Sequence, residues 1–239
     1  MMTIYPKPSF VGSIIFLIYK KTSLKILVNF TISYFMEFFI TIINQKKISD
    51  KLDKIFKNFV FTSPDWFLFK ISLLFFYFKE SKKKNKIINI LEIGSYEGRS
   101  AIFFLNFFNR SNITCVDPYF DSSYKNLNKI YKIFRKNMKP FKNFKIKKML
   151  SSEFFFRNKN YYDLIYIDGS HDEKDVYNDL INAYSFAKIK SYILLDDFLW
   201  RKNSTHKVPI DAINLFIKKY NKKVKIIYCY EQMLIQKIL

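Results

Sequence analysis

Residues 87–100 have the sequence IINILEIGSYEGRS, in which an apolar run is followed by two closely spaced glycines. The apolar run predicts a buried parallel strand, and the glycine-containing segment predicts the turn from that strand into a helix. The chain has only four glycines in 239 residues, and Gly94 and Gly98 are two of them. Glycines retained in so glycine-poor a chain indicate a backbone with positive φ, or one that a ligand approaches closely. We therefore expect an open α/β sheet with a ligand site at the carboxyl ends of its strands.

Apolar runs alternate with helical patterns from residue 63 onwards. The predicted strands are residues 87–93, 113–116, 144–149, 162–167, 192–195, 224–230 and 233–238. The predicted helices are residues 66–78, 98–108, 122–138, 152–157, 172–187 and 210–220, the first of them with Ser63 as its N-cap. Strands separated by helices predict right-handed crossovers and a mostly parallel sheet, and the last two strands are close enough in sequence to pair antiparallel.

The N-terminal part of the chain differs in character, because residues 10–19 and 24–43 are apolar nearly all round. Residues 24–43 are long enough to span a bilayer, but Glu37 would lie inside the span at a cost of about 2.5–3.5 kcal/mol. Three interpretations are open: helices buried against the main domain or an oligomer partner, peripheral membrane contact through residues 10–43 and their lysines, and a true span. The predicted domains are residues 1–62 for this accessory segment and 63–239 for the main domain.

The net charge of +21 does not by itself indicate nucleic-acid binding. Only five of the 41 basic residues are arginines, and arginine is the residue that makes bidentate contacts to phosphates and bases. Lysines spread along the whole chain indicate a compositional bias instead, so we expect no nucleic-acid partner. Both cysteines, Cys115 and Cys229, lie in apolar runs, which predicts buried free thiols in a reducing cytoplasm.

Acidic residues lie at the ends of the first two predicted strands. Glu92 lies one residue before the end of the first strand and can direct its carboxylate towards the ammonium side of a cofactor. Asp117 ends the second strand, where a carboxylate can accept hydrogen bonds from both hydroxyls of a ribose. The glycine spacing is GxxxG and differs from the GxGxxG of dinucleotide sites. The simpler alternatives are a tight turn with Glu92 in a salt bridge, and Asp117 as an ordinary turn residue before Pro118.

Acidic residues also end two later strands. Asp168 belongs to IDGSH at residues 167–171, and Asp196 and Asp197 belong to ILLDD at residues 193–197. If these strands are neighbours, their ends lie about 5 Å apart. Carboxylates at that distance repel one another unless they share a cation. Oxygen ligands of this kind suit Mg²⁺, and the alternative is a set of solvated acids at the strand ends.

His171 follows the same motif and is a candidate general base, because the reference pKa of histidine lies near neutrality. An ordinary histidine at a helix entrance is the alternative. Ser170 and Glu173 fit a capping box for the next helix, which accounts for Ser170 without a catalytic role.

These motifs together resemble the class I S-adenosylmethionine-dependent methyltransferases of the macrocin O-methyltransferase and cephalosporin-hydroxylase-like group. The resemblance covers residues 63–239 and rests on EIGSYEGRSA, CVDPYF, FRKN, YYDLIYIDGSHDEKDVYNDL, ILLDDFLW and EQMLIQK, which occur in this order. It implies a Rossmann-like α/β fold, with a mostly parallel seven-stranded sheet and a terminal antiparallel hairpin, to which this chain adds its N-terminal helices. One departure is Lys190-Ser191, where members usually carry two glycines before the fifth strand.

The resemblance also implies a role for each candidate residue, with S-adenosylmethionine as the cofactor. The residues implied to line the cofactor are Glu92, Gly94, Ser95, Tyr96 and Gly98 at the methionine part, Asp117 at the ribose, Ser151 and Ser152 near the adenine, and Asp168. The ligands implied for a metal in Mg²⁺-dependent members are Asp168, Asp196 and Asp197.

The predicted function is O-methylation of a hydroxyl on a sugar, glycan or small metabolite by a cytoplasmic enzyme. Mg²⁺ would acidify the hydroxyl, and His171 or an aspartate, Asp168, would take its proton. The methyl acceptor is the expected partner, and a homo-oligomer is compatible with the sequence. A membrane-associated binding or scaffold protein with a degenerate cofactor pocket is the alternative. A nicotinamide-dependent oxidoreductase is disfavoured, because GxGxxG is missing from the first glycine turn.

Overall fold

The computed structural model describes residues 8–79, 83–119, 127–200 and 207–239. Its centre is a seven-stranded sheet made of β1 (Asn89–Ile93), β2 (Asn112–Val116), β3 (Phe144–Lys147), β4 (Tyr162–Ile167), β5 (Ala187–Leu195), β6 (Val224–Cys229) and β7 (Met233–Lys237). The order across the sheet is β3-β2-β1-β4-β5-β7-β6. Strands β1 to β5 are parallel, and β7 is antiparallel to both β5 and β6. The predicted Rossmann-like fold with a terminal antiparallel hairpin is confirmed.

The helices of the described residues are α1 (Phe10–Tyr19), α2 (Leu24–Phe56), α3 (Ser72–Lys79), α4 (Arg99–Phe107), α5 (Leu127–Met138), α6 (Ser151–Arg157), α7 (Glu173–Phe186) and α8 (Pro209–Tyr220). Helix α2 continues well beyond the apolar stretch at residues 24–43. The first part of the helix predicted at residues 122–138 lies outside the described residues.

The helix predicted at residues 66–78 is a 3₁₀ turn at Leu68–Lys70 followed by α3. Asp65 Oδ1 accepts two backbone N–H groups at the start of this turn, at 3.0 and 2.8 Å. The prediction of Ser63 as the N-cap is wrong, because its hydroxyl donates to Glu97 Oε2 instead, at 2.8 Å.

The register of the parallel strands brings their carboxyl ends level. Ile93 at the end of β1 pairs with Val116 of β2 and Ile167 of β4, and Ile167 pairs with Leu195 of β5. The residues directly after these four strand ends lie in one row along the edge of the sheet: Gly94, Asp117, Asp168 and Asp196.

Strand β5 starts earlier than predicted, directly after α7 ends. Lys190 has φ of 66°, in the left-handed region that favours glycine. The Ser191 hydroxyl donates to the backbone oxygen of Lys188 at 2.5 Å. The structure therefore bends the chain with a left-handed lysine at the place where the resembling proteins usually have two glycines.

Helices α1 and α2 pack against the rest of the molecule. Ile26 and Phe30 of α2 are fully buried, and the Ser33 hydroxyl oxygen accepts the backbone N–H of Cys229 in β6 at 2.9 Å. Glu37 also faces inward, with 3% of its surface exposed. One face of α2 is therefore buried against the sheet domain, and the domain boundary at residue 62 stays a prediction.

Candidate active site

A cleft of about 1380 Å³ opens at the carboxyl ends of the parallel strands. A typical pocket for a single small ligand has about 300–1,000 Å³, so the cleft has room for a cofactor and an acceptor together. Most of the predicted site residues lie on its wall: Gly94, Ser95, Tyr96, Asp117, Ser151, Ser152, Asp168, His171, Asp196 and Asp197. The other two, Glu92 and Gly98, do not line the cleft.

Contacts within the protein hold the first glycine turn in shape. Gly94 and Gly98 both have φ of 85°, which a residue with a side chain rarely adopts. A Cβ on Gly94 would lie 2.1 Å from the backbone oxygen of Asp168, and a Cβ on Gly98 would lie 3.1 Å from the ring of Phe134. The sequence predicted either positive φ or the close approach of a ligand at this turn, and the positive φ is present. The close approach that the structure shows is made by the protein's own chain.

Asp117 links the turn after β1 to the turn after β2. Its Oδ2 accepts the backbone N–H groups of Ser95 and Tyr96 at 3.0 and 2.9 Å, and its Oδ1 accepts that of Tyr119 at 2.9 Å. Burial raises the pKa of Asp117, although the three N–H groups act to lower it. Asp117 is therefore more than an ordinary turn residue, and its carboxylate also borders the cleft.

Glu92 lies behind the wall of the cleft and is fully buried. Its Oε1 accepts a hydrogen bond from the Ser100 hydroxyl at 2.5 Å, whereas Oε2 has no hydrogen-bond partner of normal geometry among the described residues. Burial raises the pKa of Glu92 to about 7, although the hydroxyls of Ser100 and Ser95 and the Cys115 thiol act to lower it. Ser100 lines the cleft, so Glu92 can act on a bound ligand through Ser100. We did not predict Ser100, although the motif EGRS places it in the first turn of α4.

Three acidic side chains meet at the ends of β4 and β5. The Tyr166 hydroxyl lies 2.9 Å from Asp168 Oδ2 and 2.6 Å from Asp196 Oδ2. Burial raises the pKa of both aspartates, and the neighbouring carboxylates raise it further. The third acid, Asp197, follows Asp196 with φ of 55°. The structure thus brings the predicted acidic group together, with a buried tyrosine between two of its members.

The cation at this acidic group is Lys70, which the sequence analysis missed. Its Nζ lies 2.9 Å from Asp196 Oδ1 and 2.7 Å from Asp197 Oδ1, and its side chain is only 9% exposed. Burial acts to lower the pKa of Lys70, but the charges of the aspartates raise it above its ordinary value, so the side chain is charged. Lys70 thus brings a positive charge to the acidic group for which the sequence predicted Mg²⁺. In a lysine-rich chain, no sequence signal distinguishes it from other lysines.

His171 is held between Asp197 and Trp200. Its Nε2 lies 2.5 Å from Asp197 Oδ2, and its ring stacks on that of Trp200 with centroids 4.6 Å apart and an angle of 20°. Burial acts to raise the pKa of Asp197, but the hydrogen bond with His171 and the charge of Lys70 lower it to about 2. Asp197 is therefore ionised at neutral pH and orients the imidazole at the cleft wall.

Asp168, His171 and Asp197 form a group that could hold a metal ion, since one ligand atom of each lies within 4.8 Å of the others. Asp196, which we also predicted as a ligand, has other partners. Its Oδ1 accepts hydrogen bonds from Lys70 at 2.9 Å and from the backbone N–H of Asp197 at 2.8 Å. Its Oδ2 lies beside the tyrosine hydroxyl. Asp196 is therefore already satisfied by protein donors.

Helix α7 begins differently from the prediction. The capping box of Ser170 and Glu173 is wrong, because the N-cap is Asp172, whose side chain accepts a backbone N–H of the first turn at 2.9 Å. The Ser170 hydroxyl donates instead to Asp175 Oδ2 at 2.9 Å. Asp172 and Asp175 both lie on the wall of the cleft.

Comparisons with known proteins agree with this geometry. Residues 91–198 match the sequence profile of a family described as methyltransferase domain. No curated protein matches the chain. Among solved structures, a candidate caffeoyl-CoA O-methyltransferase from Staphylococcus aureus is similar, with a TM-score of 0.56 and 14% identity over 86% of this chain and 100% of that chain. An O-methyltransferase from Bacillus cereus in complex with SAH has a TM-score of 0.55 and 14% identity over 80% and 91% of the two chains. A candidate O-methyltransferase from Klebsiella pneumoniae has a TM-score of 0.54 and 14% identity over 79% and 90%.

At these identities the structural likeness shows the fold, and the sequence profile adds a similarity to methyltransferase domains over residues 91–198. The matched segment contains the turns after β1, β2, β4 and β5, which together form the cleft. Residues 91–198 are therefore similar to the methyltransferase domain family, and the chain has the Rossmann-like fold of the O-methyltransferase structures that it resembles.

Proposed function

We propose that the protein is an S-adenosylmethionine-dependent O-methyltransferase that acts on a hydroxyl of a sugar, glycan or small metabolite. The observation that carries this proposal is a single cleft shared by the first glycine turn, Asp117 and the His171–Asp197 pair. The glycine turn and Asp117 suit a nucleoside cofactor, and the histidine pair suits removal of a proton from an acceptor.

The cleft wall fits the cofactor by the chemistry of its side chains. Asp117 offers a carboxylate to the ribose hydroxyls, and Ser151 and Ser152 at the start of α6 are candidates for the adenine side. Ser100, with Glu92 behind it, is the candidate for the methionine side. When bound, S-adenosylmethionine supplies a methyl group on a positively charged sulfur.

His171 is the residue proposed to take the proton of the acceptor hydroxyl. If Nε2–H donates to Asp197, Nδ1 is the nitrogen free to accept a proton. Asp197 would then stabilise the imidazolium that forms, and the stacked Trp200 would keep the ring in place. A well-placed base of this kind contributes about 10²–10⁴-fold to a rate.

Lys70 is the proposed resident cation of the site, since it lines the cleft and contacts two of the three carboxylates. A divalent metal held by Asp168, His171 and Asp197 is the alternative, and it would polarise the acceptor oxygen. However, ligation by His171 would occupy a nitrogen of the proposed base. The oxygens of Asp197 already contact His171 and Lys70. We therefore propose that methyl transfer does not depend on a metal.

Aromatic and acidic residues that line the cleft indicate the class of acceptor. Trp66 is half-exposed and lies against Tyr96, with ring centroids 5.8 Å apart. Asp172 and Asp175 lie on the same cleft and can accept hydrogen bonds from hydroxyl groups. Aromatic surface and carboxylate acceptors in one cleft suit a ring that carries several hydroxyls, which favours a sugar or glycan among the proposed acceptors.

The test is release of S-adenosylhomocysteine by the full-length protein, supplied with S-adenosylmethionine and a panel of monosaccharides, glycans and catechols. We expect release with at least one hydroxyl acceptor, no requirement for added Mg²⁺, and persistence of activity in EDTA. The control variant His171→Gln should bind the cofactor and release little product. Cofactor binding without release on any acceptor would favour the scaffold hypothesis, and loss of activity in EDTA would favour the metal over Lys70.

A further inference from the structure

Helix α2 has a buried stripe of residues on one face and an exposed apolar stripe on the opposite face. The inner stripe is Ile26, Phe30, Ser33, Glu37 and Ile40, all of them buried. Its steps of four, three, four and three residues follow one side of a helix. This stripe contains the acidic residue that counted against a membrane-spanning segment, and it faces the protein.

The outer stripe is Val28, Ile32, Phe35, Phe39 and Ile42, which we call the apolar ridge. It has the same spacing, shifted by two residues, and each side chain is between 48% and 64% exposed. The exposed surface of α1 is also apolar, and the ring of its Phe10 lies 5.5 Å from that of Phe35. A soluble domain rarely exposes a contiguous apolar surface of this length without a partner.

The exposed charges of residues 10–49, which include the apolar ridge, are all positive, and the first exposed acid beyond them is Asp50. Glu37 is the only acidic residue between positions 10 and 49, and it is buried. Lys46 and Lys47 are exposed just beyond one end of the ridge. At the other end, exposed Lys25 donates to the backbone oxygen of Asn221 at 3.3 Å, which places the turn between α8 and β6 beside it. The exposed lysines around that turn are Lys218, Lys219, Lys222 and Lys223.

We infer that the apolar ridge and its flanking lysines form a docking surface for an anionic lipid bilayer. An apolar helix face with lysines beside it lies in the plane of the membrane interface and is attracted to acidic headgroups. The helix is long and apolar enough to cross a bilayer. However, its inner stripe packs on the sheet domain, so α2 could span a membrane only if these contacts were broken. Peripheral attachment keeps the inner stripe buried and covers the outer one.

A second copy of the chain fits this surface less well. Antiparallel pairing of two ridges would place the lysines at one end of α2 against those at the other end of its partner. Like charges brought together in this way repel, and the net charge of +21 adds to the repulsion. Acidic lipid headgroups would neutralise the same lysines.

The test is co-sedimentation of the full-length protein with vesicles of phosphatidylcholine alone, or of phosphatidylcholine mixed with phosphatidylglycerol. We expect the protein to sediment with the anionic vesicles, more weakly with the neutral ones, and less in high salt. The double variant Ile32→Glu/Phe39→Glu should stay in the supernatant with an unchanged circular dichroism spectrum. The control Phe156→Glu, at an apolar residue that is 91% exposed outside the ridge, should sediment like the wild type.

Lysine variants distinguish the contribution of charge to vesicle binding from that of apolar contact. Lys222→Glu/Lys223→Glu should reduce sedimentation with anionic vesicles and leave the weak binding to neutral ones unchanged. Wild-type protein that stays in the supernatant with both vesicles would overturn the inference. Dimers by light scattering that dissociate in Ile32→Glu/Phe39→Glu, without vesicle binding by the wild type, would assign the surface to a second copy instead.

Discussion

Lys70→Met removes the cation from the acidic group of the cleft and keeps most of the apolar stem of the side chain. The ammonium is nearly inaccessible to solvent and contacts Asp196 and Asp197. Removing one partner of a buried ion pair costs about 3–5 kcal/mol, because the remaining charge stays buried without compensation. We expect the variant to lose about this much free energy of unfolding at neutral pH.

Lys188→Met is the matched control. Lys188 contacts Asp163 at the same 2.7 Å, but its side chain is 41% exposed. Exposed ion pairs contribute about 0–1 kcal/mol, so this variant should be almost as stable as the wild type. Urea unfolding followed by far-UV circular dichroism gives both free energies by linear extrapolation.

The loss in Lys70→Met should depend on pH with a defined sign. In the wild type the pKa of Asp197 is about 2, below its ordinary value of 3.8. A carboxyl group whose pKa is lowered by folding stabilises the folded state at pH values above its ordinary pKa. This stabilisation disappears as the pH falls through the pKa of the folded state. Lys70 is one cause of the lowering, so its removal raises the pKa of Asp197. The difference between wild type and variant should therefore be largest at neutral pH and shrink below about pH 4.

Added Mg²⁺ gives a second measurement on the same variant. It should stabilise Lys70→Met more than the wild type, because the variant leaves the carboxylates without a cation. The interpretation of Lys70 as resident cation would be refuted if Lys70→Met were as stable as Lys188→Met, or if its loss were the same at every pH.

Three further predictions concern single positions. Glu92→Gln should stabilise the protein at pH 8 by about 3 kcal/mol and have little effect at pH 4. Burial raises the pKa of Glu92 from 4.5 to about 7, so the charged form costs stability as the pH rises through that range. Equal urea midpoints of the wild type and the variant at pH 8 would contradict this. Gly94→Ala should unfold at a clearly lower temperature than Gly169→Ala. Gly94 has positive φ and its Cβ would lie 2.1 Å from a backbone oxygen, whereas the Cβ of Gly169 would meet a side-chain methyl at 3.3 Å. Equal melting temperatures of the two variants would count against the packing role of Gly94. His171→Gln should lower kcat by about 10²–10⁴-fold with unchanged cofactor affinity, and an unchanged kcat would remove His171 as the base.

The order of strands and helices could be predicted because each strand is a continuous apolar run between helical patterns. The position of the site at the carboxyl edge of the sheet could also be predicted, because Asp117, Asp168 and Asp196 each come directly after a strand of a parallel sheet. Sequence alone did not give the register, which decides that these residues are level with one another. The structure supplies it through the pairing of Ile93 with Val116 and Ile167, and of Ile167 with Leu195.

The parts that sequence reasoning missed depend on contacts between distant segments. Lys70 reaches the ends of β5 from a turn 126 residues earlier in the chain. The capping of α7 by Asp172 rather than Ser170 depends on a choice between two polar residues two positions apart, which propensity does not separate. The apolar residues of α2 read as uniform in sequence, and only the packing on β6 divides them into a buried and an exposed stripe.

The central claim is that the cleft binds S-adenosylmethionine through Asp117. Calorimetric titration of the full-length protein with S-adenosylhomocysteine tests it directly, in the wild type, Asp117→Asn and Asp163→Asn. Asp163 also accepts two backbone N–H groups, at 3.1 and 2.8 Å, but at the opposite edge of the sheet.

Each hydrogen bond to a charged group contributes about 1.5–3 kcal/mol, so Asp117→Asn should bind about 10- to 100-fold more weakly. The wild type and Asp163→Asn should bind equally well, and neither should bind NAD. Equal affinity in a folded Asp117→Asn, or no binding by the wild type, would contradict the claim.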